Sequence, residues 1–228
     1  MKITIENLSK IYDDGTQALK DINLVIEEGM FGLIGPNASG KTTLIRILAT
    51  LLKPTEGVIL FDDMDLSNNR ALIRSKTGYL PQRFSSFTNV TTREFLDYTA
   101  RLSGLRNKND RANEIDNLLY SLGLYTVRNK KANELSTSMK RHLEIAQAVV
   151  GNPEILIVDE PTVGLSPEER ISFSDLLAER LEKIKIIIMS THILNDIKST
   201  CSKIAVLEKG ELAYHGATDI ILEQMKKQ

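Results

Sequence analysis

Apolar and polar residues alternate near the start of the chain. Ile3, Ile5 and Leu8 alternate with polar residues, and a second alternating run covers residues 19–26. A period of two is typical of a strand that buries one face. The stretch Tyr12-Asp13-Asp14-Gly15, between the two runs, has the composition of a turn. The pattern therefore predicts an antiparallel pair of strands.

Short apolar runs further along the chain predict buried strands. They cover residues 30–34, 58–61, 77–80, 155–158 and 184–189, and residues 203–207 and 212–214 predict a final hairpin. Helical spacing predicts a helix over residues 43–52, with Leu44, Leu48 and Leu51 on one apolar stripe and Lys53-Pro54 as its stop. Shorter helices are predicted at residues 71–75 and around Ile220.

Residues 84–150 differ from both flanks because their apolar residues recur at helical spacing. Thr92 is predicted to cap a first helix that extends to Leu102 and ends at Gly104. A second helix carries an apolar stripe, and a third follows the stretch Leu135-Ser136-Thr137-Ser138-Met139. The stripe consists of Ile115, Leu118, Leu119 and Leu122. A helical insertion therefore divides an α/β core.

The candidate chemistry is concentrated in Gly35-Pro36-Asn37-Ala38-Ser39-Gly40-Lys41-Thr42, which fits the phosphate-binding pattern G-x-x-x-x-G-K-[ST]. Successive backbone N–H groups and a helix N-terminus favour a polyphosphate there. Lys41 can reach the β- and γ-phosphates, and the Thr42 hydroxyl can bind Mg²⁺. The alternative is a chance match in a glycine-containing turn, which the predicted strand before it and helix after it disfavour.

Polar residues also follow three of the predicted strands. Asp159-Glu160 comes after one buried strand, Gln82 after another and His192 after a third. The carboxyl ends of parallel strands form the ligand crevice of an open sheet. There Asp159 could hold Mg²⁺ through water, and Glu160 could orient or deprotonate an attacking water. The alternatives are an acidic strand-to-loop transition and, for Gln82, an ordinary surface residue.

Tyr12 has two interpretations. It could lie near the mouth of the phosphate loop and stack on a base, or it could be a half-exposed turn tyrosine. His142 and His215 are not placed at the sheet edge that His192 shares with Gln82 and Glu160, and both are interpreted as bystanders.

Charge and composition limit the possible partners. The chain has 29 basic and 30 acidic residues, so it lacks the net positive charge of a nucleic-acid-binding domain, and no nucleic-acid partner is expected. Cys201 is the single cysteine and is interpreted as a small buried residue. No stretch approaches the roughly 18 apolar residues of a membrane span. We therefore expect a cytoplasmic chain that reaches the inner face of the cell membrane through a partner.

Taken together, these motifs resemble the ATP-binding cassette (ABC) ATPases over essentially the whole chain. Residues 35–42 match the Walker A loop, 155–160 match Walker B, and 164–167 match the D-loop. Tyr12 matches the aromatic adenine platform, Gln82 the Q-loop, and His192 the switch histidine. Residues 135–139 stand at the signature position.

The resemblance implies an α/β fold: a P-loop NTPase core with a mostly parallel sheet, an N-terminal antiparallel β-subdomain and an inserted α-helical subdomain. Residues 1–228 would form a single domain, with the core and β-subdomain at 1–83 and 151–228 and the helical subdomain at about 84–150.

The resemblance also implies ATP and Mg²⁺ as cofactors, with Glu160 as general base and Lys41, Gln82 and His192 as further catalytic residues. Thr42, Gln82 and Asp159 would hold the metal, Asp159 through water. The nucleotide would be bound by Tyr12, Gly35, Pro36, Asn37, Ala38, Ser39, Gly40, Lys41, Thr42, Thr43 and Ser136. Two cassettes, identical or different, would enclose two nucleotides and drive a separate transmembrane permease subunit.

Two departures from the family pattern bear on activity. Thr137 and Ser138 replace the two glycines of Leu-Ser-Gly-Gly-Gln, and Ser166 replaces the usual aspartate. If either signature position needs a positive φ, the strain costs on the order of 1–3 kcal/mol, whereas at negative φ activity survives. A heterodimer with an intact second site would tolerate both changes most easily.

Two functions follow from the resemblance. The first is the ATP-hydrolysing subunit of an exporter, because residues 29–57 resemble bacterial exporters of drugs, peptides or polysaccharides. The second is a regulatory or degenerate module that closes on ATP and hydrolyses weakly, because of the altered signature. Phe84 and Phe87 are candidates for docking the permease or for the core of the helical subdomain.

Overall fold

The computed structural model describes residues 1–82, 89–161, 184–198 and 200–225. They fall into two compact units: residues 1–82 with 154–228, and residues 83–153. The D-loop residues, Ser166, Phe84 and Phe87 lie outside the described residues.

The first unit begins with an antiparallel sheet, as the alternation predicts. Its strands are β1 Lys2–Ile11, β2 Gln17–Glu27, β4 Glu56–Phe61 and β5 Met64–Asp65. Strands β1 and β2 pair antiparallel, and the order in the sheet is β2-β1-β4-β5. The turn between β1 and β2 is closed by Gly15 N–H, which donates to Tyr12 O at 2.9 Å.

The second sheet of this unit has six strands in the order β10-β9-β3-β8-β7-β6. Five of them run parallel, and β10 is antiparallel to β9. They are β3 Gly29–Ile34, β6 Thr77–Leu80, β7 Ile155–Asp159, β8 Ile186–Thr191, β9 Lys203–Glu208 and β10 Glu211–Ala217. Since β3, β8, β7 and β6 are neighbours, the residues after them meet at one edge of the sheet.

Helix α1, Lys41–Leu48, is shorter than the apolar spacing predicts. Thr50 adopts φ 62° and ends the helix, so Leu51 is 54% exposed and does not continue the buried stripe of Leu44 and Leu48. Arg70 and Arg74 donate to Thr50 O at 2.5–3.0 Å, which satisfies a carbonyl left free at the helix end. Lys53-Pro54 is therefore not the stop.

Apolar side chains of α1 and of both sheets form one buried cluster. Phe61 of β4 is fully buried in it, together with Ile3 and Ile5 of β1. The first unit is completed by the helices α2 Arg70–Ser75, α6 Leu194–Lys198 and α7 Thr218–Met225. Cys201 is buried, and burial raises the pKa of its thiol to about 11. This agrees with its interpretation as a packing residue.

The second unit is helical, as the periodicity predicts. It contains α3 Thr92–Leu102, α4 Lys108–Ser121 and α5 Thr137–Val149, with short 3₁₀ turns at Tyr125–Val127 and Ala132–Glu134. The predicted cap of α3 is wrong by one residue: Thr91, not Thr92, is the N-cap, because Thr91 and Glu94 form a reciprocal capping box. Among the described residues of the chain, no helix is long and apolar enough to cross a bilayer.

Phe61 offers a test of this core. Phe61→Ala removes a fully buried ring and is expected to lower the free energy of unfolding by about 3–5 kcal/mol. Val58→Ala on the same strand is the control, because Val58 is 41% exposed. Urea denaturation followed by circular dichroism measures both. Equal midpoints for the two variants would contradict the proposed core.

Candidate functional site

The loop between β3 and α1 packs closely against the backbones of β2 and β9. Gly40, the N-cap of α1, has φ 105°, and a Cβ there would lie 2.6 Å from Ala18 O. A Cβ on Gly35 would lie 2.2 Å from Leu207 O. Both positions therefore require glycine. Ser39 Oγ is buried without a hydrogen-bond partner among the described residues, so the loop carries a free donor suited to an anion.

Lys41 is the buried charge of this loop. Its side chain is 5% exposed, and Nζ donates to Gly35 O at 2.7 Å and to Pro36 O at 3.1 Å. Glu160 Oε1 lies 3.4 Å from the same Nζ. A buried ammonium is tolerated when it is paired and hydrogen-bonded. The structure thus brings together the lysine of the loop and Glu160, the residue that follows β7.

Glu160 connects this lysine to the histidine. Its side chain is 6% exposed, and its Oε2 lies 2.7 Å from Nδ1 of His192, whose side chain is 42% exposed. Glu160 has φ 47°, a region that non-glycine residues seldom occupy. Such backbone strain is commonest at functional sites.

Asp159 lies at the end of β7, with 1% of its surface exposed. Burial raises the pKa of its carboxyl, and the charge of Glu160 acts in the same direction. A hydrogen bond from Ser190 and the charges of Arg46 and Lys41 oppose this rise in the pKa. Ser190 Oγ donates to Asp159 Oδ1 at 2.7 Å.

A cleft of about 540 Å³ adjoins the loop. Its lining includes Lys41, Thr42, Gln82 and Glu160, together with residues 16–18. Gln82 is exposed, so its amide is accessible from solvent. Nine of the predicted site residues, Asn37 to Thr43 with Gln82 and Glu160, therefore border one cleft large enough for part of a nucleotide.

Tyr12 lies next to the loop rather than apart from it. Its hydroxyl lies 3.1 Å from Thr43 Oγ1, and Thr43 is in the first turn of α1. Lys10 Nζ is 5.5 Å from the centre of the ring. The position agrees with the prediction that Tyr12 lies near the loop.

The signature residues belong to the helical unit. Ser136 is the N-cap of α5, and its hydroxyl accepts from Met139 N–H at 3.2 Å. Thr137 and Ser138 are the first two residues of α5, and neither has a positive φ. All three residues are exposed.

The remaining histidines are not part of this arrangement. His142 is on α5, where its Nδ1 lies 2.9 Å from Leu122 O, and His215 is on β10. Sequence reasoning missed Ser190. Its signal was a polar residue at the end of an isoleucine-rich strand, two positions before His192.

Comparisons with known proteins identify the family of this chain. Residues 19–163 match the family model for ABC transporters. The chain is 35% identical over 227 residues to the uncharacterized ABC transporter ATP-binding protein YxlF of Bacillus subtilis, covering 99% of this chain and 73% of that protein. It is 30% identical to the ABC transporter ATP-binding protein NatA of the same organism, covering 99% and 94%. A methionine import ATP-binding protein, MetN 1 of Bacillus thuringiensis, is 32% identical, covering 98% and 68%.

Solved structures show the same fold. An ATP-binding subunit of an ABC transporter superposes with a TM-score of 0.86 at 26% identity, covering 99% of this chain and 94% of that one. The cassette MJ0796, as a dimer in a post-hydrolysis state with ADP and Pi, superposes with a TM-score of 0.84 at 27% identity, covering 95% and 98%. The P-loop core, the antiparallel N-terminal sheet and the mostly parallel sheet are common to this group. The chain therefore belongs to the ABC transporter family, as an ATP-binding subunit and an ATPase.

Proposed function

We propose that the cleft beside Lys41 binds ATP with Mg²⁺ and hydrolyses it to drive export through a separate transmembrane subunit. The observation that carries this proposal is that Glu160 contacts both Lys41, at 3.4 Å, and His192, at 2.7 Å, at the end of a phosphate-binding loop. A base, a cation and a histidine at that point suit transfer of a phosphoryl group to water.

The donors available for the metal have suitable chemistry. Thr42 offers a hydroxyl, Gln82 an amide carbonyl and Asp159 a carboxylate, and Mg²⁺ prefers such oxygen ligands together with water. When bound, the metal would neutralise charge on the β- and γ-phosphates. Thr42 and Gln82 border the same cleft, which supports this set.

Glu160 is proposed as the general base. Its carboxylate would take a proton from a water whose oxygen attacks the γ-phosphorus, while the bond to the β–γ bridging oxygen breaks and ADP and phosphate leave. Lys41 would exchange its carbonyl partners for phosphate oxygens, and His192 would contact the γ-phosphate. The other nucleotide contacts proposed are the N–H groups of residues 35–43 and the ring of Tyr12.

A second cassette is proposed to complete each site. The exposed N-terminus of α5, capped by Ser136, offers backbone N–H groups and the positive end of a helix. Such a surface can bind the γ-phosphate held by the loop of a partner cassette. Either an identical or a different cassette could supply the partner, and a different one would accommodate the altered signature most easily.

The sequence suggested that the altered signature could make the protein a weakly hydrolysing module. The backbone conformation at these positions gives that alternative less support. That reading depends on strain at Thr137 or Ser138, and both residues are helical with negative φ. Their added Cβ atoms can still obstruct close approach by a partner. Full hydrolysis is therefore the favoured function, and the regulatory module is the alternative.

The transport direction and location belong to the same proposal. Residues 29–57 resemble exporter cassettes, but one relative is named a methionine import ATP-binding protein. The direction of transport therefore needs a direct test. The chain is proposed to be cytoplasmic and to reach the membrane's inner face through its permease.

Co-purification from native membranes would identify that permease subunit. In vesicles whose cassettes face the outside solution, mass spectrometry would then show whether added ATP moves a solute into the vesicle lumen. That is the direction an exporter requires, because the cytoplasmic side of the membrane faces outward in such vesicles.

Glu160→Gln tests the general base. The variant keeps the shape of the side chain but cannot accept the proton, so hydrolysis is expected to fall about 10²- to 10⁴-fold. Phosphate release measures the rate, and binding of a fluorescent ATP analogue is the control that should not change. The variant is also expected to accumulate as a closed dimer with ATP. Hydrolysis at the wild-type rate would refute the assignment.

Restoring the family glycines separates the two functions. Because Thr137 and Ser138 are helical, Thr137→Gly with Ser138→Gly should destabilise α5 by about 0.3–0.5 kcal/mol per residue and leave turnover within about twofold of wild type. Lys140→Gly, in the same helix, controls for the loss of helix stability. Phosphate release is measured with the membrane partner present. A large gain in turnover from the glycines would support the regulatory module instead.

A further inference from the structure

Ser190 follows four apolar residues of β8 and lies beside the acidic pair. Strand β8 reads Ile-Ile-Ile-Met-Ser-Thr, and its parallel register places Ser190 opposite Asp159 of β7. Ser190 is fully buried. A buried hydroxyl is costly unless its hydrogen bonds are made, so its partners identify its role.

Both hydrogen-bonding capacities of this hydroxyl are directed at the acidic pair. Ser190 Oγ accepts from Glu160 N–H at 2.9 Å and donates to Asp159 Oδ1 at 2.7 Å. The N–H of Glu160 also lies 3.1 Å from Ser190 O. Since an N–H can only donate, the hydroxyl hydrogen must point to the carboxylate. One side chain therefore orients the Asp159 carboxylate and holds the Glu160 backbone.

The Glu160 backbone needs such support. Its φ of 47° is unusual for a residue with a side chain, and β8 supplies the acceptors that hold it there. From that position the Glu160 carboxylate contacts Lys41 and His192 at 3.4 and 2.7 Å. A change in backbone conformation at Glu160 would move its carboxylate away from both.

We propose that Ser190 is a positioning residue that couples the metal-binding carboxylate of Asp159 to the water-activating carboxylate of Glu160. The inference rests on the proposed function, because it assigns Ser190 a role toward the same metal and water. Groups that orient metal-binding side chains change metal affinity or activity about 10- to 100-fold when removed. Removing a hydroxyl that only makes hydrogen bonds within the core would change neither metal affinity nor activity to that extent.

Thr218 provides a matched control. It is 4% exposed and belongs to the same unit, and its hydroxyl donates to Cys201 O at 2.6 Å. Thr218→Ala and Ser190→Ala thus each remove one buried hydroxyl, but Thr218 has no hydrogen bond to the acidic pair. Both should lower the thermal midpoint to a similar extent.

The first measurement is metal binding without turnover. Mn²⁺ is titrated into protein saturated with a non-hydrolysable ATP analogue, and free Mn²⁺ is followed by electron paramagnetic resonance. We expect about 10-fold weaker Mn²⁺ binding in Ser190→Ala and no change in Thr218→Ala. In EDTA, which removes the metal, the analogue should bind equally well to wild type, Ser190→Ala and Thr218→Ala.

The second measurement separates kcat from KM. At saturating Mg²⁺, kcat of Ser190→Ala should fall about 10- to 100-fold with KM for ATP unchanged, because the backbone of Glu160 loses a hydrogen bond. Ser190→Thr keeps the hydroxyl and should recover most of the loss. If Ser190→Ala does not fold, Ser190→Cys takes its place, because it keeps an atom of similar position with weak hydrogen bonding.

The outcomes are distinguishable. If wild type binds Mn²⁺ and hydrolyses ATP, but Ser190→Ala matches Thr218→Ala in Mn²⁺ affinity and kcat, the inference is wrong and the proposed function stands. If wild type binds neither the analogue nor Mn²⁺, the proposed function fails and the inference fails with it.

Discussion

The site depends on one buried positive charge. Lys41 Nζ is surrounded by oxygen atoms from Gly35, Pro36 and Glu160 at 2.7–3.4 Å. An ammonium taken out of water needs such partners, because the desolvation penalty is several kcal/mol per ion. The loop glycines allow the backbone to pack against β2 and β9, and β7 brings Glu160 to the lysine. Phosphate oxygens can replace the carbonyl oxygens without leaving the charge unpaired.

The parallel sheet supplies the remaining geometry. Residues far apart in the chain meet because β3, β8, β7 and β6 are neighbours whose carboxyl ends share one edge. Ser190 and His192, at the end of β8, contact the two acidic residues at the end of β7 at 2.7–2.9 Å. Residues at the end of β8 therefore orient the carboxylates at the end of β7. The buried cluster around Phe61 packs against the sheet that contains both strands.

Sequence reasoning succeeded where the signal is local. Alternation over Ile3, Ile5 and Leu8 predicts β1, and the loop ending in Lys41 carries its own strand and helix signals. It failed where a contact between residues far apart in the sequence determines the local structure. Thr50, whose carbonyl accepts from two arginines of α2, adopts φ 62° and ends α1, so Leu51 is exposed. The link from Ser190 to Asp159 spans 31 positions, and spacing cannot show it. The φ values of Thr137 and Ser138, which sequence left open, follow from Ser136 capping α5.

The central claim is that the Lys41 loop and the acidic pair after Val158 together hold a magnesium–triphosphate. A crystal structure grown with Mg²⁺ and a non-hydrolysable ATP analogue tests it most directly. We expect the β- and γ-phosphates against the backbone N–H groups of residues 37–42 and Lys41 Nζ, with the metal against Thr42 on the side of Asp159. A triphosphate bound elsewhere, or a loop without nucleotide at saturating analogue, would contradict the claim.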